Sequence, residues 1–169
     1  MELITKRLIQ AIKRQYALKW QGSHGIRHAA RVYTNGLRLA EETGAKVEIV
    51  KLFAIFHDSR RLNDGVDEDH GFRGAMLAKE FRGKYFELPD DDFELLFTAC
   101  NCHTTPQSHV DITVQTCFDA DRLDLARLGK MPDPKYLCTD IAKTPDMIFW
   151  ANERSLCNYS PDIVTVWNE

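Results

Sequence analysis

The chain reads as all-α, a single-domain helical bundle, and three observations predict it. Apolar residues recur at helical spacing in one segment after another. Glycine, proline and capping residues delimit those segments at intervals suited to helices. No run of alternating residues repeats to build a strand meander, and there is no internal repeat or low-complexity tract. At 169 residues the chain has the length of one domain with a real core.

In the first segment Leu3, Ile4, Leu8, Ile9, Ile12 and Tyr16 recur on one side and Lys6, Arg7, Lys13 and Arg14 on the other, an amphipathic helix. Gln21-Gly22-Ser23 ends it. Ser23 is the expected cap of a second helix from His24 to about Thr43, with Gly44 as its C-cap. His24 and His28, like Arg27 and Arg31, stand four apart and share faces of that helix. The third helix is Val47–Asp58, an apolar run that stops abruptly at His57-Asp58. The acidic stretch Asn63–Asp69 lacks the glycine and terminal glutamate of a calcium loop and reads as a solvated turn. His70 opens the fourth helix, where Gly71, Gly74, Ala75 and Ala78 imply close helix approach.

Pro89 and Asp90-Asp91-Asp92 open a fifth helix that runs to His103 and stops at Thr104-Thr105-Pro106. A sixth is expected over Ile112–Gly129, closed by Gly129, Pro132 and Pro134. Two short helical pieces follow, and Tyr159–Glu169 has no clear pattern.

Composition narrows the function classes. Apolar residues make up 44% and charged residues 28%, as in ordinary globular proteins, and the net charge of −3 argues against a broad nucleic-acid surface. No apolar run nears the roughly 20 residues that span a bilayer. The N-terminal segment is too charged for a secretory signal, so a cytoplasmic location is expected. Five cysteines, odd in number and irregularly spaced, make no disulfide framework. Cys100-Asn101-Cys102-His103 lacks the second ligand pair of a structural zinc site, which favours reduced, buried thiols.

A histidine and an aspartate side by side where a buried helix ends are costly to desolvate unless a partner compensates both. A metal ion does so, since it pairs with the carboxylate and takes the imidazole lone pair. His28, His57-Asp58 and Asp121 fall on three different predicted helices. Imidazoles and carboxylates on facing helices build a metal site inside a bundle.

The segments Ser23-His-Gly-Ile-Arg-His28-Ala-Ala-Arg31-Val32, His57-Asp58 and Asp119-Ala-Asp121-Arg122-Leu123-Asp124, in that order, resemble the HD-domain superfamily of metal-dependent phosphohydrolases. The resemblance spans residues 23–124 and implies an HD-type domain over 1–145, with 146–169 as a C-terminal extension packed on it. Carried over residue by residue, it makes His28, His57, Asp58 and Asp121 metal ligands. His70 and His103 fall where binuclear branches place extra ligands, with Asp58 bridging. Arg61 stands where related sequences place a basic residue facing the substrate phosphate, and a bidentate guanidinium suits that role. The expected cofactor is one or two divalent ions (Mn, Mg, Co, Ni, Zn or Fe).

The resemblance thus implies hydrolysis of a nucleotide or other small phosphorylated metabolite through a metal-activated water, with Asp58 and Arg61 as the catalytic pair. Two alternatives use the same residues: a di-iron oxygenase similar to myo-inositol oxygenase, and a non-catalytic HD binding module. Ser59-Arg60-Arg61 replaces the acidic residues that guanosine-tetraphosphate hydrolases carry after the doublet. The GYP segment of cyclic-di-nucleotide phosphodiesterases is absent. A homodimer is left open.

Overall fold

The computed structural model describes residues 3–105 and 108–168. Among them lie eight α-helices: α1 Lys6–Arg14, α2 Ile26–Thr43, α3 Val47–Phe56, α4 His70–Phe81, α5 Asp90–Cys102, α6 Ile112–Arg122, α7 Pro145–Leu156 and α8 Ile163–Asn168. No strand is found among the described residues, and the all-α expectation holds. None of these helices is long and apolar enough to cross a membrane.

The core is built around α3, because α3 is apolar on every side. From Ile49 to Phe56 only Lys51 escapes full burial. Helices α2, α4, α5 and α6 pack around it. Phe53 and Phe56 at its C-terminal end, with Phe118 of α6, are among the largest fully buried side chains. At roughly 1.5–3 kcal/mol for each large side chain buried, this cluster anchors the end of α3 from which His57 and Asp58 emerge.

The helix stops at Phe56 for a local reason. Both the backbone N–H and the hydroxyl of Ser59 donate to the Phe56 carbonyl, the hydroxyl at 2.7 Å, so the exposed end of α3 is satisfied by a turn. The doublet therefore sits on that turn and not inside a helix.

Glycines set how closely α4 approaches. A Cβ on Gly74 would lie 2.3 Å from the Phe56 carbonyl oxygen, and one on Gly71 would lie 2.4 Å from that of Cys100. The small residues of this segment thus serve close packing, as their sequence implies. They hold the start of α4 against the C-terminal ends of α3 and α5, where three of the candidate ligands lie.

Two boundaries differ from the sequence reading. The second helix begins at Ile26 with Gly25 as N-cap, and neither Ser23 nor His24 belongs to it. The chain instead makes a turn, in which the Ile26 N–H donates to the Trp20 carbonyl at 2.8 Å. The helix expected over Ile112–Gly129 ends at Arg122 and continues as a 3-10 turn at Leu125–Leu128. Asp124 forces the break. Its carbonyl accepts from the Ser155 hydroxyl and from Arg127, and its carboxylate is drawn toward α2.

The C-terminal segment packs on the rest, with α7 against the 3-10 turn and α2, and α8 against α1 and α2. Trp167 meets Tyr33 edge-on at 5.5 Å. Pro106, part of the expected stop after α5, lies outside the described residues.

Candidate metal centre

All six residues expected as ligands converge in one buried place. His28 comes from α2, His57 and Asp58 from the turn after α3, His70 from the first position of α4, His103 from the C-cap of α5 and Asp121 from α6. His28 and His57 are fully buried, and Asp121, with 18% of its side chain exposed, marks the more open side.

The donors fall into two groups joined by Asp58. Its Oδ2 lies 3.4 Å from His28 Nε2 and 3.6 Å from His57 Nε2. Asp121 Oδ1 completes this half at 3.3 Å and 3.6 Å from the same two nitrogens. Asp58 Oδ1 faces the other way, 3.1 Å from His70 Nε2 and 3.8 Å from His103 Nε2. Across each half two imidazole nitrogens oppose one another, His28 and His57 at 3.1 Å, His70 and His103 at 3.0 Å. Donors held about 2.1 Å from one ion stand about 3.0–3.4 Å apart; most of these spacings fall in that range, and those of His57 to the two carboxylates and of His103 to Asp58 lie a few tenths of an ångström beyond it.

Outer partners fix every ring. His28 Nδ1 bonds Asp124 Oδ2 at 2.7 Å, His57 Nδ1 bonds the Phe53 carbonyl at 3.1 Å, and His103 Nδ1 bonds the Cys100 carbonyl at 2.7 Å. His70 Nδ1 meets the Asp67 carbonyl. Carbonyls and carboxylates only accept, so each Nδ1 carries a proton, and each Nε2 faces inward, where it offers a lone pair to a metal or, when protonated, donates to the carboxylates. Four imidazoles arranged this way suit a cation, since opposed lone pairs repel unless a proton or metal lies between them.

The electrostatics agree. Burial alone would raise the pKa of Asp58, but the His57 charge and hydrogen bonds from His103, His28 and His70 hold it well below the carboxylate range. Asp121 is likewise held low against burial by His28 and His57. Burial and Arg127 push His28 down, but its bonds to Asp121, Asp124 and Asp58 prevail and raise it to about 9. Without metal, a proton on His28 balances part of the buried carboxylate charge.

Arg61 lies against the centre, buried beside Asp58 and His70. Its Nη1 lies 3.4 Å from Asp58 Oδ1 and 3.1 Å from His70 Nε2, while Nη2 donates to the Gly65 carbonyl at 2.6 Å. Of the remaining histidines, His24 bonds Asp64 at the rim. His109 accepts from the Asp111 N–H in the loop before α6.

Asp124 and Arg31 are the contributors that the sequence reading left without a role. Arg31 Nε donates to Asp124 Oδ1 at 2.7 Å, and its Nη1 reaches Asn158 and the Tyr159 carbonyl. The signal was their spacing, three residues after His28 and three after Asp121. That spacing puts Arg31 beside His28 on one face of α2, and Asp124 one turn of chain after Asp121.

The family model for the HD domain matches residues 25–126, which include all six donors and Asp124. The chain belongs to the HD-domain family. The chain is similar over 87% of its length to 84% of a solved structure, a predicted HD superfamily hydrolase from an uncultured Thermotogales bacterium, at 25% identity and a TM-score of 0.64. No curated protein matches. Membership in this family accords with divalent-metal binding, and two sets of side chains, His28, His57 and Asp121, and His57, Asp58 and His103, bring ligand atoms close enough together to hold an ion.

Proposed function

We propose that the chain is a metal-dependent phosphohydrolase acting on a nucleotide or another small phosphorylated metabolite in the cytoplasm. The observation that carries this reading is the division of Asp58, whose two oxygens face two separate pairs of inward-pointing imidazole nitrogens. In this reading His28, His57, Asp121 and Asp58 Oδ2 hold one ion, and His70, His103 and Asp58 Oδ1 serve a second. A divalent ion supplies Lewis acidity toward a phosphoryl oxygen and lowers the pKa of a coordinated water. The protein's own groups do the rest. Asp58 orients the centre, and the outer acceptors keep all four rings in the ligating tautomer. Arg61 supplies positive charge beside the centre, where a phosphoryl group gains negative charge in the transition state.

Support also comes from the hydrolase description given to the Thermotogales structure, which shares the fold along most of both chains. The test is phosphate release from a panel of nucleotides and sugar phosphates. The protein would be compared chelator-stripped, reloaded with manganese or cobalt, and as Asp58→Asn. Metal-dependent turnover that Asp58→Asn abolishes supports the reading; release that survives chelation sinks it.

The set of four imidazoles and two carboxylates favours a second reading, a di-iron oxygenase, because histidine-rich sites suit iron. Dioxygen uptake by the iron-loaded protein would separate it from hydrolysis.

A further inference from the structure

We propose that Arg61 is a built-in rival for the second half of the centre. The chain then binds one divalent cation tightly, and takes a second only where the guanidinium gives way. This rests on the metal-centre reading above and adds to it that the two halves are unequal.

The inequality lies in the contacts. Arg61 Nη1 lies over the His70 ring, 3.1 Å from Nε2 and 3.4 Å from Nδ1, while His70 Nδ1 also meets the Asp67 carbonyl. The same Nη1 lies 3.4 Å from Asp58 Oδ1. Two of the three donor atoms of this half therefore already face one cationic group. A guanidinium this close to His70 and Asp58 repels a second cation placed among the same donors. In the other half, Asp58 Oδ2 and Asp121 Oδ1 pair with His28 and His57. The guanidinium of Arg31 stays behind His28, on Asp124.

Arg61 is also held where it is. The side chain is buried, Nη2 donates to the Gly65 carbonyl at 2.6 Å and Nε to the Asn63 carbonyl at 3.3 Å. The loop that offers these acceptors is itself pinned. Asp67 accepts from the Leu62 N–H at 2.8 Å and pairs with Arg73, and the Gly65 N–H donates to Asn63 Oδ1 at 2.8 Å. An ion entering this half must break contacts of a preorganised arginine and approach its positive charge.

The experiment titrates chelator-stripped protein with Mn2+, following free Mn2+ by electron paramagnetic resonance. Wild type should bind one Mn2+ tightly and a second at least ~10-fold more weakly. In Arg61→Gln the second event should tighten by ~10-fold or more, with the first unchanged within ~3-fold. The first event doubles as the control for folding. Arg61→Met, which keeps the apolar stem, serves if the glutamine variant loses both. His70→Ala placed on Arg61→Gln should abolish the second event alone. Equal affinity of both sites in wild type, or a second event that stays the same or weakens without Arg61, overturns the proposal. If wild type binds no Mn2+ at all, the metal-centre reading itself fails, an outcome distinct from either.

Discussion

Replacing Asp124 by asparagine tests whether the outer partners tune the centre or merely fill space. Asp124 is 1% exposed and bonds His28 Nδ1 through one oxygen and Arg31 Nε through the other, both at 2.7 Å. Asparagine keeps the volume, but it has one accepting oxygen for two donors and no charge. Two effects follow. The loss of a carboxylate behind a ligating histidine typically costs about 10–100-fold in metal affinity, or about 1.4–2.7 kcal/mol. Breaking a buried pair with Arg31 costs about 3–5 kcal/mol, but Arg31 keeps Asn158 and the Tyr159 carbonyl, which places the expected loss near the lower figure. For a chain of this size, about 3 kcal/mol lowers Tm by about 6–12 °C.

Asp119→Asn is the control. Asp119 is also buried, but it binds the Cys138 and Thr139 N–H groups and the Thr139 hydroxyl. Calorimetric titration with Mn2+ and a thermal melt of both variants give the answer. Asp124→Asn should lose affinity and stability, and Asp119→Asn stability alone. Equal metal affinity in wild type and Asp124→Asn would falsify the claim that this carboxylate sets the basicity of His28.

Gly74→Ala should cost at least about 1–3 kcal/mol in a thermal melt, because the new methyl meets the backbone oxygen of Phe56 at 2.3 Å and that oxygen cannot rotate away. A melt within error of wild type would mean that α4 packs less tightly than the geometry says. Tyr16→Phe should stabilise the protein by about 1 kcal/mol, because the buried Tyr16 hydroxyl has no hydrogen-bond partner among the described residues. A lower Tm would show that the hydroxyl is satisfied in solution.

The metal-free protein should change stability with pH in two windows, measured by urea melts in a chelator buffer. The pKa of His28 is raised to about 9 from 6.5, so its contribution is full below pH 6.5 and disappears as pH rises through 9. Asp58 and Asp121 are depressed, so theirs is present above their ordinary value of 3.8 and lost on acidification below it. Metal affinity should run opposite to the His28 limb, rising with pH as the ion replaces its proton. A metal-free stability flat between pH 6.5 and 9 would contradict the balance of charge assigned to His28.

The architecture was legible wherever one local rule governed it. Helical spacing located α3 and α5, Gly44 closed α2 with a left-handed conformation, and the glycines of α4 signalled close approach. The six donors were legible because the order of histidines and aspartates along the chain survives without knowledge of packing. The misreadings arose where distant contacts overruled local preference. Asp124 belongs by spacing to a continuing helix, yet His28, Arg31 and Ser155 claim it from elsewhere in the chain and end α6 two residues earlier. The turn before α2 depends on the Trp20 carbonyl reaching Ile26, a contact that Ser23's reputation as a cap conceals. The hold on Arg61 was not legible either, since it depends on carbonyls at Asn63 and Gly65, and no side-chain pattern encodes the direction of a backbone oxygen.

The central claim is that Asp58 is shared by two groups of metal donors. Its most direct test is elemental mass spectrometry of protein purified anaerobically without chelator, wild type beside Asp58→Asn. The account predicts at least one divalent ion per chain in wild type and almost none in the variant, since both halves lose their common ligand. Equal metal content in the two proteins, or none in wild type, would contradict it.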